Sequence, residues 1–150
     1  MRLSFREATA DDVPAVVALL ADDPLGATRE RQDMTAYLAA FEAMQAEGAN
    51  RLYVGEDTAG RVVATYQLTL ISGLSLAASR RAQVESVRVA SDLRGRGLGQ
   101  RMFADIEARA RAEGCRLIQL TMNASRTDSR RFYEALGFEP SHVGFKRYLD

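Results

Sequence analysis

Residues 89 to 102, VASDLRGRGLGQRM, place three glycines and three arginines in fourteen positions. An apolar strand pattern precedes them and an amphipathic helical pattern follows. A strand, a glycine-rich turn and a helix start together make a place for an anion. The first amides of a helix have no partner inside it, and the helix dipole adds partial positive charge there. Glycine allows positive φ and lets a phosphate approach the backbone. On this reading Gly95, Arg96, Gly97, Leu98 and Gly99 offer a row of N–H groups to a phosphate or pyrophosphate. Arg94 and Arg96 add charge at its rim. A P-loop is excluded, because the stretch has no lysine. A dinucleotide fingerprint is excluded too, because Gly95, Gly97 and Gly99 are spaced by two, with Gln100 and Met102 beyond them. A tight turn with incidental arginines is the structural alternative.

Other reactive side chains are sparse. Cys115 is the only cysteine and His142 the only histidine, so no intrachain disulfide can form. No cysteine or histidine cluster suits a typical zinc site, and no metal is expected. A nucleophilic Cys115 would need a base or positive surroundings, and the only histidine, His142, lies far along the chain though it can still be near in space. The formal net charge is zero, which gives no electrostatic case for nucleic acid or a membrane surface. Lys146 is the sole lysine, so positive charge is carried almost wholly by arginine. There is no apolar run of about 18 residues and no signal-peptide pattern. A soluble cytoplasmic protein is expected, as one domain over residues 1–150 with 47% apolar and 27% charged residues.

The elements that must position the turn follow from periodicity. LSFREAT alternates as a strand. TADDVPAVVALLAD reads as a helix, with Thr9 and Asp12 spaced as a capping box and Val13, Val16, Val17 and Leu20 at helical spacing. DPLGATRE is a break, and DMTAYLAAFEAMQAEG a second helix stopped near Gly48. RLYVGED and VVATYQLTLI form a hairpin turning around Ala59 and Gly60. SGLSLAASRRA is a connection. QVESVRVA is a strand whose Val84, Val87 and Val89 break strict alternation, which predicts a bulge. GQRMFADIEARARAEG is a helix ended by Gly114, and CRLIQLTM a buried strand. SRTDSRRFYEALG is a helix with Ser125 and Asp128 in capping-box spacing and Gly137 as its stop. FEPSHVGFKRYL closes the chain as one or two short strands. The order predicts a mixed α/β domain.

Residues 94–99 read R-x-x-G-x-G, and RRFYEALGF follows some thirty residues later. Together they resemble the core of a GNAT-superfamily N-acetyltransferase, a likeness that covers residues 84 to about 141. The more variable amino-terminal half agrees in element order. The resemblance implies a mixed central sheet flanked by helices and splayed between two parallel strands, here those ending near Val89 and Met122. It implies acetyl-CoA as cosubstrate, its pyrophosphate on the 94–99 turn and its pantetheine arm along Val87 and Val89. Many members place an asparagine seven residues before the tyrosine. Here Arg126 stands there, with Asn123 nearby, and either side chain is placed to touch the cofactor.

Acetylating an amine requires its neutral form, about one molecule in 2,500 at pH 7 for a lysine-like amine. Recovering that form costs roughly 4.6 kcal/mol, which a base or desolvation must help supply. By the resemblance Glu85, on the bulged strand, is the base, directly or through water. A surface acid paired with Arg88 or Arg81 is the alternative. Tyr133 is the acid that protonates the leaving thiolate, with a packing aromatic as the alternative. The acceptor is a small-molecule amine or a protein amine, bordered by DDPLGATRERQDM and SGLSLAASRR. Arg80 and Arg81 are either substrate contacts or surface charges, and Tyr37, Phe41 and Tyr66 either line its pocket or fill the core. The resemblance allows a homodimer. A CoA-binding regulatory module without turnover is the rival function.

Overall fold

The computed structural model describes residues 1–31 and 33–150. Gln32, within the stretch expected to border the acceptor, lies outside the described residues. Among the described residues five strands form one mixed sheet in the order β1 (Ser4–Glu7), β2 (Asn50–Glu56), β3 (Val62–Ile71), β4 (Arg81–Val89) and β5 (Leu117–Leu120). The first four are antiparallel neighbours. β5 runs alongside β4 in the same direction: the Arg116 amide donates to the Arg80 carbonyl at 2.8 Å, and Gln119 donates to Gln83 at 2.7 Å.

In the unit Met1–Gln119, the sheet carries helices on both faces. The odd-numbered residues of β3 share one face with Leu52 and Val54 of β2, through the pairs Val54–Thr65 and Leu52–Gln67. On that face α1 (Val13–Ala21) and α3 (Met34–Glu47) cover a cluster of Val13, Val16, Val17, Phe41 and Val54. Among the described residues the expected break between these helices contains a short helix, α2 (Gly26–Arg29), and the connection from β3 to β4 a single helical turn, α4 (Ser75–Ala78). On the opposite face α5 (Leu98–Ala112) buries Met102 and Ile106 completely. Tyr66 is also fully buried there and stacks on Tyr53 at 5.0 Å. Its hydroxyl donates to Asp105 at 2.5 Å, and Arg109 donates to the same carboxylate oxygen at 2.8 Å. Tyr66 is therefore a core residue and not a wall of the acceptor pocket. Burial, with the Asp105 carboxylate second, pushes its phenol well above the ordinary range.

The capping box expected at the first helix is present. The Thr9 amide donates to Asp12 Oδ2 at 2.7 Å, in a 3-10 turn (Ala10–Asp12) leading into α1. Arg6 clamps the same carboxylate at 2.7 and 2.9 Å. The Arg6 hydrogen bond holds the Asp12 carboxyl below the usual carboxylate range. A depressed folded-state pKa gives stability that is complete above the unfolded value, about 3.9, and fades as pH falls through the folded value. Asp12→Ala is therefore expected to cost about 1–2 kcal/mol at neutral pH, the loss of a cap and a half-exposed ion pair. Urea midpoints of wild type and variant should converge on acidification. A gap that stays constant down to strongly acidic pH would mean that the carboxylate's charge is not what stabilises the helix start.

The unit Leu120–Asp150 holds α6 (Thr127–Ala135) and the chain end. Its helix starts one turn position later than the capping-box spacing predicts. Arg126 is the N-cap, and no side chain caps it. Ser125 is drawn instead into a turn by Asn123, whose Oδ1 accepts from the Ser125 amide at 3.0 Å and hydroxyl at 2.6 Å. The expected closing strands are not formed: among the described residues none follows α6.

Candidate active site

Two buried leucines set the glycine turn. β4 ends at Val89, and the Ala90 amide donates to Val63 O at 2.8 Å. A 3-10 turn (Ser91–Leu93) follows, and Leu93 and Leu98 both pack on Leu19, Val63 and Ala90. Burying each leucine is worth roughly 1.5–3 kcal/mol, which fixes both ends of the loop. The chain between must reverse within four residues. It does so with left-handed backbone at Gly95 (φ +80°) and Gly97 (φ +76°). A residue with a Cβ is strained at either position. Gly97 is the N-cap of α5 and supplies no side chain to its amides. The first helical hydrogen bond runs from the Arg101 amide to Gly97 O at 3.3 Å, so the amides of Leu98, Gly99 and Gln100 precede the ladder.

Charge around the turn is arranged in two ways. Arg94 donates to the Asp22 carbonyl at 2.9 Å, and Asp22 accepts from the Ser91 amide at 3.2 Å. Hydrogen bonds from Ser91 hold the Asp22 carboxyl below its usual range. Asp92 is clamped by Arg61 through two 3.0 Å bonds. Arg96 is exposed, and its described interaction is a Coulombic pull on Asp92. So Arg94 ties the loop to the end of α1, while Arg96 is the cation left at the surface beside the uncapped amides.

The predicted bulge is in β4. Gln67 faces Glu85 and Thr65 faces Arg88, so three β4 steps match two on β3, and Ser86 takes φ +55°. Pairing with Gln67 puts Glu85 on the face of Gln67 and Thr65, opposite that of Val84, and the extra residue makes Arg88, not Val87, the partner of Thr65 on that face. Glu85 is exposed, and among the described residues it makes no ion pair. Arg88, offered by the sequence as a pairing partner, binds Asp23 at 3.0 Å instead. Because Ala90 donates to β3, backbone alternation turns the N–H and C=O groups of Val87 and Val89 away from β3. The Val87 carbonyl also accepts from Arg88 Nη1 at 2.9 Å.

On the face to which Glu85 turns lies a cavity of about 110 Å³ between α1, α3 and the sheet. Val16, Leu20, Tyr37, Phe41 and Met44 give it an apolar wall, while Thr65, Gln67 and Ser86 give it a polar floor. Tyr37 is fixed by donating to Glu30 and accepting from the Arg31 amide, both at 2.8 Å. Tyr37 and Phe41 line this cavity, and Phe41 is at the same time part of the core cluster. Arg80 does not face one: it donates to the Glu113 carbonyl at 2.6 Å at the end of α5. Burial pushes the Cys115 thiol up, against the thiolate a nucleophile needs.

In the second unit Tyr133 is half-buried on α6, edge-on to Phe132 and Phe138 at 5.3 and 5.9 Å. Gly137 (φ +92°) ends the helix. Its amide donates to Glu134 O and the Phe138 amide to Tyr133 O, both at 3.0 Å. This double closure with its ring contact fixes Tyr133 at the last turn. The Oδ1 atom of Asn123 is committed to Ser125, so only its NH₂ group could serve the contact the sequence assigns it. Among the described residues no group of three histidine, cysteine, aspartate or glutamate side chains could hold a metal. No described helix is long and apolar enough to cross a membrane.

The asparagine turn, the Asp22 and Asp92 anchors and the Asp23–Arg88 pair escaped the sequence reading. Asp23 and Arg88 are far apart in the chain, and no local pattern joins them. The apolar wall was visible as helical spacing, but not as the side of a cavity.

The acetyltransferase (GNAT) family model matches residues 14–138. The chain is 32% identical to an L-methionine sulfoximine/L-methionine sulfone acetyltransferase of Pseudomonas paraeruginosa, over 100% of this chain and 91% of that protein. It is 33% identical to an aminoalkylphosphonate N-acetyltransferase of Salmonella typhimurium, over 45% of this chain and 44% of that protein, so the match spans less than half of that relative. Among solved structures, a Bacillus halodurans protein described as a transcriptional regulator has a TM-score of 0.93 at 38% identity, covering 99% of this chain and 100% of its own. With the R-x-x-G-x-G turn, the bulged β4 and the matching fold, the chain belongs to the GNAT family of acetyltransferases.

Proposed function

We propose that the protein is an acetyl-CoA-dependent N-acetyltransferase that joins acetyl-CoA and a small amine in a ternary complex. The observation that carries this is the turn Arg94–Gly97. Two left-handed glycines between buried leucines deliver an uncapped helix start with Arg96 beside it. That arrangement suits a pyrophosphate. Val87 and Val89 would pair with the pantetheine arm, with Asn123 and Arg126 as further contacts. Glu85 would take the amine proton, directly or through water. The nitrogen would attack the thioester carbonyl, and Tyr133 would protonate the departing thiolate. The cavity beside Glu85 fits an acceptor with a compact apolar group, and a relative that acts on methionine derivatives supports this choice.

Calorimetric titration with acetyl-CoA, beside pantetheine lacking the pyrophosphate, tests the cofactor site. Micromolar binding that needs the pyrophosphate is expected; no binding would overturn the assignment. Tyr133→Phe is expected to lower kcat about tenfold or more while leaving the acetyl-CoA Kd within about twofold, as loss of a general acid requires. Unchanged turnover would leave Tyr133 a packing residue. A CoA-binding regulatory role without turnover has one observation in its favour, the description of the Bacillus halodurans protein. Release of free CoA on adding amines of the methionine class would exclude it.

A further inference from the structure

Two adjacent acids tie the end of α1 to β4 and to the turn behind it. Asp22 holds the turn: its carboxylate accepts from the Ser91 amide at 3.2 Å, and its carbonyl accepts from Arg94 at 2.9 Å. Asp23 holds the strand. Its Oδ2 stands 3.0 Å from Arg88 Nε, with 7% of the Asp23 side chain and 15% of the Arg88 side chain exposed. The remaining contacts of this pair run in opposite directions. Arg88 Nη1 donates to the Val87 carbonyl at 2.9 Å, and the Gly26 amide donates to Asp23 Oδ1 at 2.5 Å. A chain of contacts therefore leads from Val87, beside the bulge, to the first residue of α2.

Stability alone is a weak reason for such a pair. Apolar side chains of similar volume often serve a buried site as well or better, because both charges give up their water. What the pair does supply is a fixed distance. Gly26 is held closely: a Cβ there would collide with the Leu20 carbonyl oxygen and stand 3.1 Å from Asp23 Oδ1. The start of α2 is thus pressed onto the last turn of α1. Leu20 is a wall of the cavity on the Glu85 face, and Thr65, the cross-strand partner of Arg88, is part of its floor. Asp22 and Asp23 also open DDPLGATRERQDM, the stretch expected to border the acceptor. On its other side the pair grips the Val87 carbonyl, which faces away from β3.

We propose that Asp23 and Arg88 are positioning residues that hold the acceptor's border to the cofactor arm. The inference rests on the placing of that arm on Val87 under the proposed function. An amide of the arm that donates to the Val87 carbonyl fixes the oxygen that Arg88 Nη1 also holds. With Nη1 fixed, the planar guanidinium keeps one orientation in which Nε still meets Asp23. Asp23 passes that constraint to the Gly26 amide. Seating the arm therefore steadies the α1–α2 junction before an amine arrives, which is a coupling between two sites. Arginine suits the task and lysine does not: a rigid fork spans two acceptors at once, and a single ammonium is a point donor.

Hydrogen exchange of peptides within residues 20–31 is the test, with acetyl-CoA binding measured by calorimetry on the same samples. In wild type, saturation with acetyl-CoA is expected to slow exchange there about fivefold or more. The double variant Asp23→Asn, Arg88→Met removes both charges and keeps an acceptor for the Gly26 amide. It is expected to keep the wild-type melting temperature. Its acetyl-CoA Kd should stay within about threefold of wild type, while saturation changes the exchange by less than about twofold. Should the double variant fail to fold, Arg88→Lys, which keeps the charge pair, decides in its place, with the same loss of slowing expected. Slowing in the variant equal to that of wild type overturns the role of the pair. So does unchanged exchange in wild type with acetyl-CoA bound. Failure of wild type to bind acetyl-CoA at all is a separate result, which removes the cofactor reading and this inference with it.

Discussion

Replacing Glu85 by Gln is expected to lower kcat about 100-fold or more, the usual contribution of a positioned general base, with acetyl-CoA affinity within about twofold of wild type. The substitution keeps the shape of the side chain and removes only its charge. It also leaves the fold alone, because Glu85 is exposed and makes no ion pair among the described residues. The two kinds of role therefore separate cleanly. A surface acid changed to Gln should alter neither stability nor turnover. A base changed to Gln should keep the melting temperature and lose the rate. Alkaline rescue gives a second readout: the variant should regain part of its rate at high pH, where the amine is already neutral and needs no base. Wild-type kcat in Glu85→Gln would show that desolvation of the amine is sufficient and would return Glu85 to the surface.

Local rules carried most of the fold. Helix stops at Gly48, Gly114 and Gly137 all have the positive φ that makes glycine the cheapest residue there. The broken alternation of Val84, Val87 and Val89 is the sequence trace of the Ser86 bulge. What the sequence could not tell was which residue beyond the bulge would share the face of Glu85, because that depends on the pairing with β3, where Thr65 faces Arg88. Register is a property of two strands. The same holds for Arg88, whose partner comes from the end of α1 and not from its own strand. The Ser125–Asp128 spacing misled for a related reason: Asn123 competes for Ser125, and short polar side chains readily prefer a turn to a cap. The closing strand failed for a third. Its pattern is sound, but a strand exists only with a neighbour, and a local pattern does not name one.

Gly97→Val is expected to weaken acetyl-CoA binding by about 30-fold or more, with little change for pantetheine lacking the pyrophosphate. Two effects add. At φ +76° a side chain costs roughly 1–2 kcal/mol, and a β-branched one stands at the upper end. The loop can relieve this only by rotating the peptide at the start of α5, which re-aims the amides of Leu98 and Gly99. The branched side chain then stands over the surface those amides face. At 1.4 kcal/mol per tenfold, roughly 2 kcal/mol gives the expected loss. Gly97→Ala divides the two effects. A Cβ there meets only Gln100 Oε1, at 3.9 Å, so Ala brings backbone strain without a clash. It should lower stability by about 1 kcal/mol and weaken acetyl-CoA binding less than Val does. If Val and Ala weaken binding equally, backbone aim is what the glycine protects. If Val alone weakens it, the glycine keeps a path clear for the phosphate. If neither does, the pyrophosphate does not bind at this turn, and the R-x-x-G-x-G stretch is a way of joining β4 to α5 under two buried leucines.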